Sequence, residues 1–194
     1  PRGGTGNEPR ATPSLAPLPP TMNLTINFSG TGHGRVTTDP SGIDCDSSQA
    51  KCSHSFDTAT WINLKATAAA DSKFTGWSGF QSDCEDGIVF MSGPRSCTAN
   101  FELLRFPLTV TTVGQGKVSS NPAGIDCSQC AHDFDTGTEV TLTAVPGDGW
   151  QFKEWSGACD KAGHVKINVN RQCQAIFDKI VYYSYPLTIK PMAV

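Results

Sequence analysis

The feature that most restricts how this chain can fold is a stretch of twelve residues spelled twice. "GRVTTDPSGIDC" occupies residues 34–45 and "GKVSSNPAGIDC" occupies residues 116–127, 82 positions apart. Seven positions are identical, and the other five exchange Arg for Lys, Thr for Ser (twice), Asp for Asn and Ser for Ala. A repeat of this fidelity means one small folding unit built twice, each copy meeting the same local geometry. Eight cysteines fall four to each copy: Cys45, Cys52, Cys84 and Cys97, then Cys127, Cys130, Cys159 and Cys173.

The rest of the chain aligns around these anchors. "LTI" at residues 24–26 matches "LTV" at residues 108–110, and both alternate in the period of a strand. "GHGRV" and "GQGKV" follow as glycine-rich hairpin turns, and "DPSG" and "NPAG" as proline-led turns. Residues 56–79, "FDTATWINLKATAAADSKFTGWSG", then align without a gap to residues 134–157, "FDTGTEVTLTAVPGDGWQFKEWSG". "RSCTANF" at residues 95–101 answers to "RQCQAIF" at residues 171–177. Period-two alternation assigns Ile62, Leu64 and Ala66, with their counterparts Val140, Leu142 and Ala144, to a buried face. Phe74 with Phe152, Trp77 with Trp155 and Phe101 with Phe177 complete a shared core. No segment carries a 3.6-residue apolar period. The expected fold is therefore all-β, two tandem small modules of five or six short strands each.

Residues 1–21 hold six prolines, three glycines and almost nothing large and apolar, the composition of a disordered linker or arm. The modules are expected at 22–104 and 105–180. Units of this size are marginal on burial alone, so covalent staples make physical sense. An even cysteine count in small glycine-rich units predicts a disulfide framework made in an oxidising compartment, hence a secreted, extracellular or cell-surface protein. Cys84 with Cys97 and Cys159 with Cys173 would close loops of 12 and 13 intervening residues, each worth about 3 kcal/mol on the chain-entropy account. Cys45 with Cys52 and Cys127 with Cys130 are the next natural pairs, and cross-pairing within a unit stays open at this level.

The order of features, spelled most fully in the second unit, is a Gly-x-Gly turn, a turn ending "GIDC", a second Cys, "FDTGTEVTLTA", "FxxWSGxC" and a last strand "RxCxAxF". This resembles the divergent internalin-B-type B-repeat modules of bacterial secreted and surface proteins, over most of residues 22–180. "GTEVTLTAVPGDGWQFKEWSGAC" is the strongest portion, and the first unit is the more worn copy. The resemblance implies a β-grasp-like module, used in tandem as a spacer, adhesive or assembly unit, with no activity of its own. The final cysteine inside the last strand departs from a family in which cysteine placement varies.

Cys127, Cys130, His132, Cys159, His164 and Cys173 have the residue types of a structural zinc site, but the first unit respaces the pair and lacks a counterpart to His164. A metal needs fixed geometry in both copies, so no metal and no cofactor are expected. "CSQCAH" misses a haem attachment site because Ala131 separates Cys130 from His132. "GWSGF" around Ser78 does not fit a nucleophile elbow, and its counterpart is "EWSGA". Glu85 and Asp86 read as loop residues, and His33, His54, His132 and His164 as surface histidines without reproducible partners. No enzyme is expected. A formal net charge of −3 with no run of like charges argues against a nucleic-acid partner, and no stretch approaches the ~18 apolar residues of a membrane span.

Two positions break the internal symmetry. Trp61 stands where the second unit has Glu139, and Trp150 where the first has Ser72. A core role would call for an apolar residue in both copies, so these are candidate exposed contacts for a protein interface or a glycan. The opening strand motif also appears a third time. "YPLTIKPMAV", with Tyr185, Leu187, Ile189, Met192 and Val194, mirrors "FPLTV" at residues 106–110. An apolar strand needs a sheet. Residues 181–194 are therefore an extra C-terminal strand: the start of a further repeat, a strand folded back, or a donor strand added to a neighbouring molecule. Pro1 in place of a starting methionine fits a removed signal sequence or a fragment of a longer chain. The first expectation is an extracellular bacterial filament or appendage subunit that self-associates by strand addition. The alternative is an adhesin or spacer region of a larger surface protein, binding a surface protein or glycan.

Overall fold

A computed structural model of the chain describes residues 19–49, 51–79 and 84–183. All regular structure among them is β-strand, sixteen strands in four small sheets, and none of it is helix. The chain divides into two compact units near residue 101, with residues 70–73 grouped with the second.

The first module runs β1 (Thr21–Ser29), β2 (Gly34–Asp39), β3 (Asp44–Asp46), β4 (Lys51–Asp57), β5 (Trp61–Ala68), β6 (Ser72–Gly79), β7 (Ile88–Phe90) and β8 (Arg95–Leu103). Its main sheet has the order β4-β1-β8-β6, and β1 and β8, its first and last strands, lie parallel at the centre. That mixed sheet is the β-grasp-like element. The second sheet, β3-β2-β5-β7, is antiparallel throughout. The second module repeats the plan with β9 (Arg105–Val113), β10 (Gly116–Asn121), β11 (Asp126–Cys127), β12 (Gln129–Asp135), β13 (Glu139–Pro146), β14 (Trp150–Gly157), β15 (His164–Lys166) and β16 (Arg171–Lys179). Its sheets are β12-β9-β16-β14 and β11-β10-β13-β15.

Eight strands per module exceed the five or six expected. The difference is β3, β7, β11 and β15, two or three residues each and too short to show an alternating period. Thr21, expected in the arm, already begins β1.

Each module closes its own core. Leu24, Ile26, Val36, Ile62, Val89, Met91 and Phe101 are fully buried in the first, and Leu108, Val110, Val118, Ile167 and Ala175 in the second. Ile62, Leu64, Val140 and Leu142 are buried as the alternation requires, while Ala66 and Ala144 pack at the core margin. Phe74 lies 5.3 Å from both Trp77 and Phe101, centroid to centroid, and Phe152 lies 5.3 Å from Trp155 and 5.9 Å from Phe177. The Gly-x-Gly turns exist for these rings: a Cβ on Gly34 would stand 2.2 Å from Cε1 of Phe101, and one on Gly116 2.5 Å from Cζ of Phe177.

The twelve repeated residues build one corner. Val36 and Val118 enter the cores. The Thr38 hydroxyl accepts a bond from the Ile43 amide at 3.0 Å, and the Ser120 hydroxyl does so from Ile125 at 2.9 Å, closing the proline turn across its mouth. Arg35 grips Asp44 through Nε at 2.6 Å, and Lys117 reaches Asp126 at 3.0 Å. The corner then ends in a staple to the next strand, Cys45–Cys52 or Cys127–Cys130. The other two bonds are Cys84–Cys97 and Cys159–Cys173, so pairing is sequential within each module.

Candidate interaction surfaces

Cys127, Cys130, Cys159 and Cys173 spend their sulfurs on each other, and among the described residues no group of three or more His, Cys, Asp or Glu could hold a metal ion. Ser78 lies on β6 rather than in a turn, and it accepts a hydrogen bond from Asn100 at 3.1 Å.

The histidines differ from expectation in one respect. His54 and His132 are equivalent and do share a partner: each packs edge-on against the Phe two residues on, Phe56 at 4.8 Å and Phe134 at 4.7 Å. A Cβ on Gly42 or Gly124 would stand 2.5 or 2.4 Å from these imidazoles. The signal was the shared "HxF", visible in the sequence at residues 54–56 and 132–134.

The short edge strands β7 and β15 are closed at both ends by the same device. Asp86 Oδ1 accepts from the Ile88 amide at 2.9 Å, and Asp160 Oδ1 from the His164 amide at 2.8 Å. At the far end Arg95 Nε donates to the Phe90 carbonyl and Arg171 Nε to the Lys166 carbonyl, both at 3.3 Å. These bonds occupy backbone groups that an edge strand otherwise presents to solvent or to another chain. The His164 and Ala162 amides hold the Asp160 carboxyl below the usual carboxylate range. Bonding from Arg35 does the same for Asp44, and bonds from Ser48 for Asp46.

On the outer face of the second sheet the modules diverge. In the first, Trp61 on β5 is 61% exposed and pairs across the ladder with Phe90 on β7, ring centroids 4.7 Å apart at 43°. Ile88 stands beside them, 43% exposed. In the second module the same positions hold Glu139, Lys166 and His164, with Lys166 3.9 Å from Glu139 and His164 3.2 Å from Asp160. A cavity of about 490 Å³ opens among Glu139, Thr141, Asp160, His164 and Lys166. The same scaffold thus carries an aromatic patch in one copy and a charged one in the other.

Trp150 departs from its expected exposure. It is half-buried against the second core, its ring within 2.7 Å of where a Gly114 Cβ would stand. Its counterpart Ser72 is buried. Trp150 fills space over a turn that is two residues shorter than the one after β1, which leaves Trp61 as the exposed aromatic of the two.

Val181, Tyr182 and Tyr183 are exposed and carry no regular structure. The assembly residues Tyr185, Leu187, Ile189, Met192 and Val194 lie outside the described residues, as does most of the N-terminal arm.

Comparison with known proteins follows the same two units. The divergent InlB B-repeat domain matches residues 24–104 and again residues 106–180. No curated protein matches the chain. Among solved structures it is similar to the Bacillus anthracis TIE protein, at 11% identity and a TM-score of 0.48, over 82% of this chain and 34% of that one. It thus spans about a third of the TIE protein's length. It is also similar to the major pilin protein T-13 of Streptococcus pyogenes, at 9% identity, 82% and 97% coverage and a TM-score of 0.33. The shaft pilin SpaA of Lactobacillus rhamnosus GG (E269A mutant) aligns at 7% identity, 84% and 99% coverage and a TM-score of 0.25.

Proposed function

Because this chain belongs to the divergent InlB B-repeat family, matched across both modules, we propose that it is an extracellular structural protein of a bacterial surface, a filament subunit that assembles by strand addition. Four disulfides in two small modules support a place in an oxidising compartment. The reading assigns it no catalytic step.

One observation carries the filament reading. The "LTI" strand is a central strand wherever the fold is described: β1 lies between β4 and β8, and β9 between β12 and β16. The third copy of that motif, at residues 187–189, repeats the sequence of strands that have sheet neighbours on both sides. Docking it on an edge of another molecule is a heterologous contact, and repetition of such a contact gives an open filament. The test is negative-stain electron microscopy of residues 1–194 beside residues 1–181. Filaments from the longer chain alone are expected; the same assemblies, or single particles, from both would sink the reading.

A second reading, an adhesin or spacer region of a larger surface protein, is favoured by Trp61, Phe90 and Ile88. Their exposed outer face would take a protein surface or a sugar ring. In that case Trp61→Ala abolishes ligand capture while the oligomeric state stays unchanged.

A further inference from the structure

Strand addition requires a receiving edge, and the fold leaves few suitable ones. β3, β7, β11 and β15 are two or three residues long, and β7 and β15 are also closed by their Asp and Arg clamps. β14 is broken by a register shift between Phe152 and Glu154, and β6 by Gly76 at a φ of 138°. Bulges and kinks of this kind turn an edge away from pairing. Two long regular edges remain, β4 and β12, each laddered without interruption over seven residues to a single neighbour.

β12 has the chemistry that fits the third motif. The Thr136 amide bonds to the Leu104 carbonyl, so by alternation Phe134, His132 and Cys130 direct their backbone groups at β9, while Ala131, Asp133 and Asp135 direct theirs outward. Pro107 stands opposite Asp133, where the ladder asks for no amide. The side chains of Ala131 and Asp133 are exposed on the outer face, and Phe134 is buried on the inner one. Asp133 has no ion-pair partner among the described residues, and its outward carbonyl accepts a bond from Arg105 at 2.5 Å, a bond to an exposed side chain that an added strand's amide would displace.

We propose, building on the strand-addition reading, that residues 187–193 of a second copy of this chain add antiparallel to the outer edge of β12, with Lys190 opposite Asp133. Three independent requirements select this register. Thr188, Lys190 and Met192 then bond to the edge and share its outer face, which sets Lys190 against Asp133. Leu187 and Ile189 fall on the inner face, Ile189 beside Phe134, extending the apolar layer. Pro191, which has no amide to give, faces away from β12. A shift by one residue would aim Pro191 at the ladder and turn Leu187 and Ile189 to solvent. At β4 the outward positions are Ser53, Ser55 and Asp57, and the acid sits at the strand's end, where residues 187–189 of the donor, with both of its apolar LTI side chains, would overhang.

The donor comes from another molecule for a reason of reach. β16 runs parallel to β9, and Lys179 falls level with a point eleven residues beyond Arg105, the residue opposite Asp135. At about 3.3 Å per residue that is about 36 Å along the sheet, before crossing β16 and β9 to the far side of β12. The nine steps from Lys179 to Thr188 extend at most about 32 Å. The chain cannot return to its own β12 in this register, but a neighbour's can reach it.

The test is amide exchange and charge reversal on the full chain. Monomeric subunits should exchange the Ala131 and Asp133 amides quickly, and filaments should protect both. Asp133→Lys should raise the critical concentration for assembly roughly several-fold, from like charges placed opposite one another, and Lys190→Asp in the same chain should restore it. Filaments that need residues 182–194 yet leave those amides unprotected, with Asp133→Lys without effect, would overturn this edge and register alone. If residues 1–181 assemble like the full chain, strand addition itself falls, and this inference with it.

Discussion

At the scale of single residues, two of the five exchanges within the repeated twelve are explained by what the side chains do. Arg35 and Lys117 both reach an aspartate on the adjacent strand, and Thr38 and Ser120 both offer one hydroxyl to the amide across the turn. Gly34 and Gly116 allow no exchange because the rings of Phe101 and Phe177 lie on their Cα atoms. Gly34→Ala or Gly116→Ala should therefore cost about 1–3 kcal/mol by overpacking, read from denaturant unfolding. Trp61→Ala, by contrast, should change stability by no more than about 0.5 kcal/mol, since the side chain is 61% exposed. Asp160 makes a pH prediction. Its carboxyl is held low in the folded state by the amides of His164 and Ala162, so the stabilisation is present above the unfolded carboxylate pKa of about 3.9 and is lost as pH falls through the folded value. Asp160→Asn should lower stability at neutral pH and flatten the acid limb below about pH 4, the two stability–pH curves converging at low pH.

At the scale of elements, the edge strands and the disulfides set what can move. Clamping β7 and β15 with one acid and one arginine each explains why both last strands open with Arg at the same place. Arg171→Ala should speed amide exchange in β15 while the midpoint of global unfolding shifts little, because only an exposed end is freed. The disulfides divide by burial and by loop. Cys84 and Cys97 are buried at 1% and 0%, whereas Cys127 and Cys130 are only partly buried and enclose two residues. Replacing Cys84 and Cys97 together by Ser should cost about 3 kcal/mol or more, and replacing Cys127 and Cys130 about 2 kcal/mol at most, compared by chemical denaturation. Partial reduction should open Cys127–Cys130 before Cys84–Cys97, which alkylation and peptide mapping would read.

At the scale of the whole molecule, the two modules own separate cores, and each core is completed by its own parallel first and last strands. A parallel pair joins residues far apart in sequence, so neither half of a module holds the core without the other. Residues 19–104 and residues 105–183, prepared separately under oxidising conditions, should each give dispersed amide spectra and a cooperative melt. Collapse of either piece to a disordered chain would mean that the modules depend on one another. The divergence of the outer faces, aromatic in the first module and charged in the second, is then a difference in what each module presents, carried on one scaffold.

Much of this was written in the sequence alone. The repeat determined that there are two modules, the period-two alternation determined which of Ile62, Leu64, Val140 and Leu142 face inward, and four cysteines in the same order in each unit made sequential pairing the natural expectation. These are local properties, set by residues within a strand or a turn. What only the tertiary structure decided depends on residues distant along the chain. The short strands β7 and β15 exist because β5 and β13 offer them a ladder, not because their three residues favour extension. The clamps join an Asp and an Arg from either side of such a strand. Trp150 is half-buried because a turn after another strand is short enough to let it lie over Gly114. The regular outer edge of β12 is an edge because of where the sheet stops, and a sheet's limits are set by contacts between strands that no local pattern records.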